Sequence, residues 1–311
     1  MVEEVLSGLA LGERGARRLV VMDCTTGRGG HGERIVRQMA AGAGGVYVGM
    51  DVDPANLKYA RKRLEAIGAG NVELRTFHAN FAEAGDVLET LNMTGVDGLL
   101  ADFGVSTNQL LDEKHGLSFN ADTPLDMRLD PRIENTAAEL IGFWDEKKIA
   151  TVLHEYAQER FAWRIARKIV QTRAREPILT TGQLARLVRS VMPHGGRSGE
   201  GSIDPATRTF QALRMAVNEE PGHLTELLES VPGMMHTGGR AAFLSFHSGE
   251  DRLVKLATRG WEEAGLAEAL TKKPAEPSEE EMRRNPRSRS AKLRTASFKG
   301  NKPAREGRSE P

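Results

Sequence analysis

The stretch "VMDCTTGRGGHGERIV", residues 21–36, joins a short apolar run to a glycine-rich segment and then to a helical pattern. Its glycines Gly27, Gly29 and Gly32 fit the G-x-G-x-x-G pattern of a dinucleotide-binding turn. In such a turn the first glycine follows the strand almost at once, so that the helix amino end meets a pyrophosphate. Here residues 23–26 intervene before the first glycine. The stretch therefore predicts a strand, a glycine turn and a helix, and it leaves the ligand open.

Working outward, four short apolar runs end in polar residues, at Asp23, Asp51, His78 and Asp102. Helical patterns lie between them, "GERIVRQMA", "PANLKYARKRLEAI" and "AEAGDVLETL". Strands that alternate with helices in this way are typical of a parallel sheet with helices on its faces. The first 102 residues therefore predict an α/β, Rossmann-like half.

The alternation then stops for about a hundred residues. From Asn108 to about Ile203 helical patterns continue without a clear strand, and the strand pattern resumes with "RAAFLSFH", residues 240–247. We therefore predict a discontinuous core, residues 1–107 and 204–311, with a helical domain inserted at residues 108–203. From about residue 272 the chain is rich in Pro, Ser, Arg and Lys, which predicts a basic tail that is disordered unless a partner or the core orders it.

Charge and cysteine content narrow the class of protein. Lys and Arg total 43, as do Asp and Glu, but Arg283 to Arg308 holds ten basic residues and one acid. A single cysteine, Cys24, excludes an internal disulfide framework and suits a reducing compartment. No apolar run approaches the roughly 18 residues of a membrane span. We expect a cytoplasmic enzyme without a membrane partner, and no His/Cys cluster has the spacing of a zinc site.

Asp23 and Asp51 indicate which ligand the glycine turn accepts. A carboxylate at the tip of the first strand is a poor neighbour for pyrophosphate but a good one for an ammonium group. An acid at the end of the second strand can accept hydrogen bonds from ribose hydroxyls. Together they favour S-adenosylmethionine over NAD, although isolated Asp residues also end strands without any ligand. An NAD-dependent oxidoreductase remains the alternative enzyme class.

Longer stretches carry a resemblance to a known family: "DCTTGRGGHG", "DFGVSTNQLLDEKHGLSFNADTPLDMRLDP", "PATRTFQALRMAVNEE", "GGRAAFLSFHSGEDRLVK" and "NPRSRSAKLR". They resemble the RsmH (MraW) family, methyltransferases that modify N4 of a cytidine in the decoding region of small-subunit ribosomal RNA. The resemblance implies a Rossmann-like methyltransferase core with an inserted helical domain and S-adenosylmethionine as methyl donor. It also implies small-subunit ribosomal RNA as the substrate, which we expect within an assembled or assembling 30S particle. An RNA-binding assembly factor that retains a cofactor fold is the non-enzymatic alternative.

Carried over to this sequence, the resemblance implies a set of cofactor-binding residues: Gly29, Gly30, His31, Asp51, Phe81, Asp102 and Gln109. Two of these also have a simpler interpretation, since His31 can be a helix cap and Phe81 a core residue. The residue after His31, usually Ser in the family, is Gly32 here.

Asp102 is the candidate catalytic residue. The N4 amine of cytosine is a poor nucleophile because its lone pair is delocalised into the ring, and an acceptor for its protons would orient that lone pair. The alternative is that Asp102 only holds the cofactor. Cys24 invites comparison with carbon-5 methylation, which needs a thiolate, but it lies in the cofactor turn and we interpret it as a packing residue.

Candidate RNA contacts are spread along the chain: Asp126, Arg128, Arg208, His247 and Arg252. Arg160, Arg164, Arg167 and Lys168 recur at helical spacing. Such a stripe is usually the solvated face of an amphipathic helix, but with Arg208 and the basic tail it also predicts a phosphate-binding surface.

Overall fold

The computed structural model describes residues 1–13, 17–192 and 204–299. The strands are β1 (Leu19–Asp23), β2 (Gly45–Asp51), β3 (Val72–His78), β4 (Val96–Asp102), β5 (Met235–Ser245), β6 (Ala267–Ala269) and β7 (Lys292–Phe298). The helices are α1 (Val2–Leu9), α2 (Gly30–Ala40), α3 (Pro54–Glu65), α4 (Ala84–Thr90), α5 (Thr107–Leu111), α6 (Ala137–Phe143), α7 (Glu146–Ala157), α8 (Ala162–Arg173), α9 (Thr181–Val191), α10 (Ala206–Val217), α11 (Glu220–Met234), α12 (Ser248–Glu263) and α13 (Glu279–Arg284). Within these ranges no helix has the length and apolar character needed to cross a membrane.

The seven strands form one sheet in the order β3-β2-β1-β4-β5-β7-β6. Strands β1 to β5 run parallel to one another, and β7 runs antiparallel between β5 and β6. The predicted strand ends at Asp23, Asp51, His78 and Asp102 are confirmed. The predicted α/β, Rossmann-like fold class is likewise confirmed.

The sheet is buried on both faces, which explains the nearly continuous apolar runs of its central strands. Successive residues of a strand point to opposite faces. Accordingly, Met22 and Val48 belong to one buried apolar cluster, whereas Val21 and Tyr47 belong to another. Helix α11 packs on the first cluster and α1 on the second.

Strand β5 is longer than the sequence indicates. It begins at Met235, five residues before the predicted start at residue 240, so the Gly238–Gly239 pair lies inside the strand. Its pairing with β4 shifts register between Val96 and Gly98. The two glycines therefore belong to an irregular part of the strand, which a local sequence pattern does not distinguish from a turn.

Residue contacts divide the chain into two compact units. One comprises Met1–Gly104 and Gly222–Pro311, and the other comprises Val105–Pro221. In the described part of the second unit, strand-like pairing is limited to the isolated bridge between Pro124 and Thr180. The predicted division assigns α10 to the core, whereas contacts with α6, α7 and α9 assign it to the second unit. Residues 193–203, where the predicted boundary falls, lie outside the described residues.

The core orders residues 272–299 of the predicted basic tail, which is the exception that the sequence analysis allows. This segment contains α13 and then β7, which pairs with both β5 and β6. Arg294 is buried in an ion pair with Asp251, with Nε to Oδ1 at 2.8 Å, so its charge is neutralised inside the fold. The rest of the predicted tail, residues 300–311, lies outside the described residues.

Candidate active site

Three carboxylates mark one edge of the sheet in the first unit. Strands β1, β2 and β4 are parallel and end at Asp23, Asp51 and Asp102, so these residues lie at the same edge. Chain order reverses between β1 and β4. Ligands of open α/β sheets bind beyond the carboxyl ends of the strands at such a reversal. The topology therefore makes this edge the candidate site.

The glycine turn after β1 spans the ends of the neighbouring strands. Cys24 N donates to Leu100 O of β4, and Thr26 N donates to Met50 O of β2, both at 2.8 Å. Gly29 then caps the start of α2 with a φ of 77°, in the left-handed region that favours glycine. A Cβ built on Gly30 would meet nothing within 4 Å. The turn thus presents open space beside the amino end of α2.

Asp51 is tied to this turn. Its Oδ2 accepts a 2.7 Å hydrogen bond from Gly27 N, and its Oδ1 accepts one of 2.8 Å from Asp53 N. Burial raises the pKa of Asp51 to about 6, against the opposing effect of these backbone hydrogen bonds. A carboxylate has about four acceptor sites, so Asp51 can still accept a hydroxyl of a bound ribose.

Asp23 is buried and hydrogen-bonded to a tyrosine that the sequence analysis overlooks. The hydroxyl of Tyr47 donates to Asp23 Oδ2 at 2.8 Å, with both side chains inside the fold. Burial raises the pKa of Asp23 to about 6, and the Tyr47 hydrogen bond and the charge of His31 partly oppose this rise. The signal for Tyr47 is its place in an otherwise apolar strand, since a buried Tyr hydroxyl usually has a partner.

Gly32 makes room for this contact. A Cβ at residue 32 would collide with the hydroxyl of Tyr47. A serine, which the family usually has at this position, would therefore push the tyrosine away from Asp23. The glycine at position 32 therefore permits the hydrogen bond between Tyr47 and Asp23.

His31 and Asp102 face each other across the site. His31 Nδ1 lies 3.4 Å from Asp102 Oδ2, and Asp102 N donates to Thr25 Oγ1 at 2.6 Å. Burial lowers the pKa of His31, but its hydrogen bond to Asp102 and the charges of Asp102 and Asp23 outweigh burial and raise it above the ordinary value. In the described chain, the buried atoms His31 Nε2 and Asp102 Oδ1 have no hydrogen-bond partner. Such atoms are expected where a ligand binds.

An aromatic group borders the same edge. Phe81 follows β3 and packs edge-on against Phe103, which follows β4, with ring centroids 5.7 Å apart. His223 lies against the other side of this group, 6.4 Å from Phe81, and its Nδ1 is 3.0 Å from Asn80 Nδ2. Phe81 is only partly buried although it packs on the core. Both interpretations that the sequence analysis gives Phe81, a core residue and a cofactor contact, fit this position.

The free cysteine of the chain is inert in this setting. Cys24 is 1% exposed. Burial, with the nearby Asp23 charge, raises the pKa of its thiol far above the ordinary value. Because the thiolate is the nucleophilic form, Cys24 is a packing residue, as the sequence analysis expects.

The predicted site residues of the second unit all make local contacts. Gln109 Oε1 accepts from Ser106 N at 3.0 Å and caps α5. Arg128 forms a two-pronged ion pair with Asp126, with both N–O distances 2.8 Å. Arg208 donates to Gln158 O at 3.1 Å, at the end of α7. Cofactor or RNA contact by these residues stays a prediction.

The loop that carries Asp126 and Arg128 is held by Asn218, which the sequence analysis also overlooks. Asn218 Nδ2 donates to Met127 O, and Leu129 N donates to Asn218 Oδ1, both at 2.8 Å. Met127 has a φ of 67°, a strained conformation for a side chain of its size. Such strain persists where surrounding contacts over-determine it, often at functional sites.

His247 and Arg252 lie in the first unit, after β5. His247 caps α12 by accepting from Glu250 N, and its Nε2 lies 3.1 Å from Glu250 Oε1. Arg252 is exposed, and within the described ranges its guanidinium has no hydrogen-bond partner. Arg252 is therefore available to an RNA phosphate, whereas His247 has a structural role of its own.

The site fits S-adenosylmethionine on the evidence of its own atoms. Asp23 and Asp51 are acceptors suited to an ammonium group and to ribose hydroxyls. The turn at Gly29 and Gly30 leaves space for a ligand, and His31 with Asp102 contributes unpartnered polar atoms. These residues can hold the cofactor.

Comparison with known proteins gives close matches along the chain. A model described as the MraW methylase family matches residues 1–299. A protein named Ribosomal RNA small subunit methyltransferase H, from Acidobacterium capsulatum, is 44% identical over 281 residues, covering 89% of this chain and 91% of that protein. One of the same name from Symbiobacterium thermophilum is 40% identical over 309 residues, covering 94% of each.

Solved structures align at lower similarity. An rRNA methylase from Streptococcus thermophilus aligns at 10% identity with a TM-score of 0.42, covering 94% of each chain. A methyltransferase homolog protein from Pyrococcus horikoshii aligns at 15% identity with a TM-score of 0.43, covering 94% of this chain and 65% of that one.

Proposed function

Since the chain belongs to the MraW methylase family, whose model matches residues 1–299, we propose that it methylates N4 of a cytidine in the decoding region of small-subunit ribosomal RNA. The resemblance inferred from the sequence motifs is thereby confirmed at the level of the family. The protein is an S-adenosylmethionine-dependent ribosomal RNA methyltransferase. The target atom and its position in the RNA are the proposed part.

Small-subunit RNA as substrate is supported by the relatives, which are named for methylation of that subunit. The 30S particle, assembled or assembling, is the proposed form of the substrate. A base must leave its stack to reach a methyl group held at the sheet edge, so the reaction requires extrusion of the cytidine.

The burial of the Cys24 thiol is the observation that favours methylation of N4 over methylation of carbon 5 of the cytosine ring. Carbon-5 methylation proceeds through a thiolate that bonds to the base. The only cysteine of the chain is buried, and its thiol is held protonated by burial and by the Asp23 charge. Methylation of an exocyclic nitrogen needs no covalent intermediate and is compatible with this site.

Asp102 is proposed to serve the attacking amine. Its Oδ1 is a buried acceptor without a partner in the described part of the protein, and its Oδ2 is held by His31 at 3.4 Å. By accepting an amine hydrogen, Oδ1 would orient the N4 lone pair toward the methyl carbon, a positioning effect. A negative charge at this point also stabilises the positive charge that grows on N4.

When bound, S-adenosylmethionine would supply a methyl group carried on a positively charged sulfur, which would keep the bonding electron pair as the leaving group. Asp102 accepts the proton that N4 releases as its bond to the methyl carbon forms. No bond between enzyme and base forms or breaks. The enzyme therefore contributes position, charge and a proton acceptor.

The proposed RNA contacts are Arg252, Arg208, Arg128, Asp126 and His247. Arg252 is the best supported of these contacts, because its side chain is exposed and its guanidinium has no hydrogen-bond partner within the described ranges. Arg128 and Asp126 are proposed to act as the pair that their two-pronged contact makes. Arg128 Nη1 also donates to Ile133 O and Glu134 O, which leaves one of its five N–H donors for RNA.

Nucleoside mass spectrometry tests the proposal. Purified protein and S-adenosylmethionine are incubated with small subunits from a strain that lacks this protein, and the RNA is digested to nucleosides. We expect N4-methylated cytidine at one decoding-region position, with naked RNA as the parallel substrate. Formation of 5-methylcytidine instead, or transfer to large-subunit RNA, would show that the proposed target is wrong.

A further inference from the structure

Helix α8 carries a solvent-exposed groove that the methyltransferase site does not use. Five residues of this helix and one of α9 line an open cavity of about 300 Å³: Trp163, Arg164, Arg167, Lys168, Gln171 and Val191. This volume is at the lower end of ligand sites, about 300–1,000 Å³. All of its lining residues lie in the second unit, on α8 and α9.

The groove has an unbalanced positive charge. Helices α8 and α9 contain six basic residues and no acidic one. Several of these are neutralised, Arg167 by Glu146 and Arg189 by Asp204 for example. Arg164 and Lys168 have no acidic partner among residues 1–13, 17–192 and 204–299. These two cations lie one helical turn apart and are available to an anion.

Trp163 stands beside these cations with its indole largely in water. It is 57% exposed, so a large part of the indole ring is open to a base from solvent. Exposed aromatic rings beside Lys and Arg are the standard means of binding single-stranded nucleic acid, because each base stacks on a ring while the backbone contacts the cations. Charge and ring together point to a nucleotide rather than to an apolar partner.

We propose that this groove binds an unpaired nucleotide of the RNA substrate, with its base stacked on Trp163 and its phosphates contacting Arg164 and Lys168. The inference rests on the proposed function only in taking RNA as the substrate. It adds a second point of attachment on the helical unit, apart from the residues assigned to the methyl-transfer site. The Arg164 guanidinium lies 5.6 Å from the centroid of the Phe161 ring, and this cation–π contact helps to hold the Arg164 side chain in place.

Binding of naked decoding-region RNA, measured with S-adenosylhomocysteine present so that no turnover occurs, tests the groove. Trp163→Ala is expected to weaken binding by about 5- to 150-fold, the range for loss of one stacked base. Trp163→Phe should retain most of the affinity because it keeps a ring. Phe143→Ala is the matched control, since Phe143 is also exposed, at 61%, on the same unit.

The cations are tested by salt dependence. The double variant Arg164→Gln/Lys168→Gln should lower the log–log salt slope by up to about 1.4, or about 0.7 per lost contact to a single strand. Lys58→Gln/Lys62→Gln removes an equally spaced, exposed pair from α3, which also has no acidic partner among the described residues, and should leave the slope unchanged. Circular dichroism confirms that each variant is folded.

The outcomes separate this inference from the proposed function. Unchanged RNA affinity and slope in the groove variants, or no binding of naked RNA by the wild type, would overturn the groove assignment. Loss of affinity for the 30S particle but not for naked RNA would mean that the groove docks a ribosomal protein, which also contradicts it. Absence of N4-methylcytidine with normal groove-dependent binding would instead refute the proposed reaction alone.

Discussion

The hydroxyl of Tyr47 controls the charge of Asp23, because it donates to a carboxylate that is otherwise surrounded by protein. Cofactor binding requires Asp23 ionised if that carboxylate meets an ammonium group. The groups that face Asp23 are the Tyr47 hydroxyl, the His31 imidazole, the Cys24 thiol and the Asp102 carboxylate. Among them Tyr47 and His31 favour the ionised form.

Tyr47→Phe should therefore raise the pKa of Asp23 further above 6 and move the pH at which cofactor affinity falls upward by about one unit. Calorimetric titration with S-adenosylmethionine between about pH 5.5 and 8 measures this midpoint. Tyr156→Phe, on α7, is the control and should not move it. A uniform loss of affinity at every pH would mean that Tyr47 only packs.

Substitutions at Asp102 and Cys24 are expected to have opposite effects on the rate of methyl transfer. Asp102→Asn should reduce the single-turnover rate at saturating cofactor by about a hundredfold or more, because an amide neither balances the charge on N4 nor accepts its proton. Cys24→Ser should retain methyl transfer, since no enzyme–base bond forms. Cofactor affinity is measured in parallel, so that a binding defect is not mistaken for a chemical one. An inactive Cys24→Ser with an active Asp102→Asn would favour carbon-5 methylation.

At the scale of single residues, the sequence predicts the three acids of the site but not the hydrogen bonds that the other residues make. Asp23, Asp51 and Asp102 are recognisable because each ends an apolar run. The capping hydrogen bonds of Gln109 and His247 depend on where α5 and α12 begin, to within one residue, and helix boundaries are the least certain part of sequence-based prediction. Tyr47 and Asn218 act across long chain separations, which no local pattern contains.

Among the elements, β7 is a strand that the sequence analysis missed because its basic residues are typical of a solvated tail. "KLRTASF" reads as basic and polar, and it follows a Pro- and Arg-rich segment. In the fold Lys292 and Arg294 both reach Asp251, at 3.5 and 2.8 Å, so the charges that suggest a tail are neutralised by α12. The C-terminal ends of β1 to β4 are predicted to the residue, although β3 also contains Glu73 and Arg75.

A truncation distinguishes the strand from a tail. A chain that ends at residue 282 should fail to give soluble, folded protein, because β5 and β6 lose the strand between them and leave two unpaired edges. A chain that ends at residue 299 keeps β7 and should melt cooperatively. Thermal unfolding followed by circular dichroism tests both. A stable, cofactor-binding product from the shorter chain would contradict the pairing of β5 with β7.

For the whole molecule, the buried acids of the site oppose stability as pH rises. Asp23 and Asp51 have a pKa of about 6 in the fold against an ordinary value of 3.8. The native state therefore binds their protons more tightly than the unfolded chain does. Their contribution is fully present below about pH 4 and is lost as pH rises through 6. Asp126, Asp204 and Asp251, whose pKa values are lowered, act in the opposite sense and chiefly at lower pH.

We expect the free energy of unfolding of the cofactor-free protein to fall between about pH 4.5 and pH 6.5 relative to Asp51→Asn, which lacks one of these groups. Urea unfolding at a series of pH values gives the comparison. Saturating S-adenosylmethionine should offset the loss in the wild type, since a ligand that binds only the native state stabilises it. Parallel curves for the wild type and Asp51→Asn would mean that Asp51 does not titrate in this range.

Strand β7 is synthesised after β5 and β6, yet it lies between them in the sheet. During translation β5 therefore leaves the ribosome with an edge that has no neighbour, and that edge stays open until residues 292–298 emerge. A ribosome that stops before β7 is made would release a chain with two unpaired strand edges. Such a product is expected to aggregate rather than to act as a partly active methyltransferase.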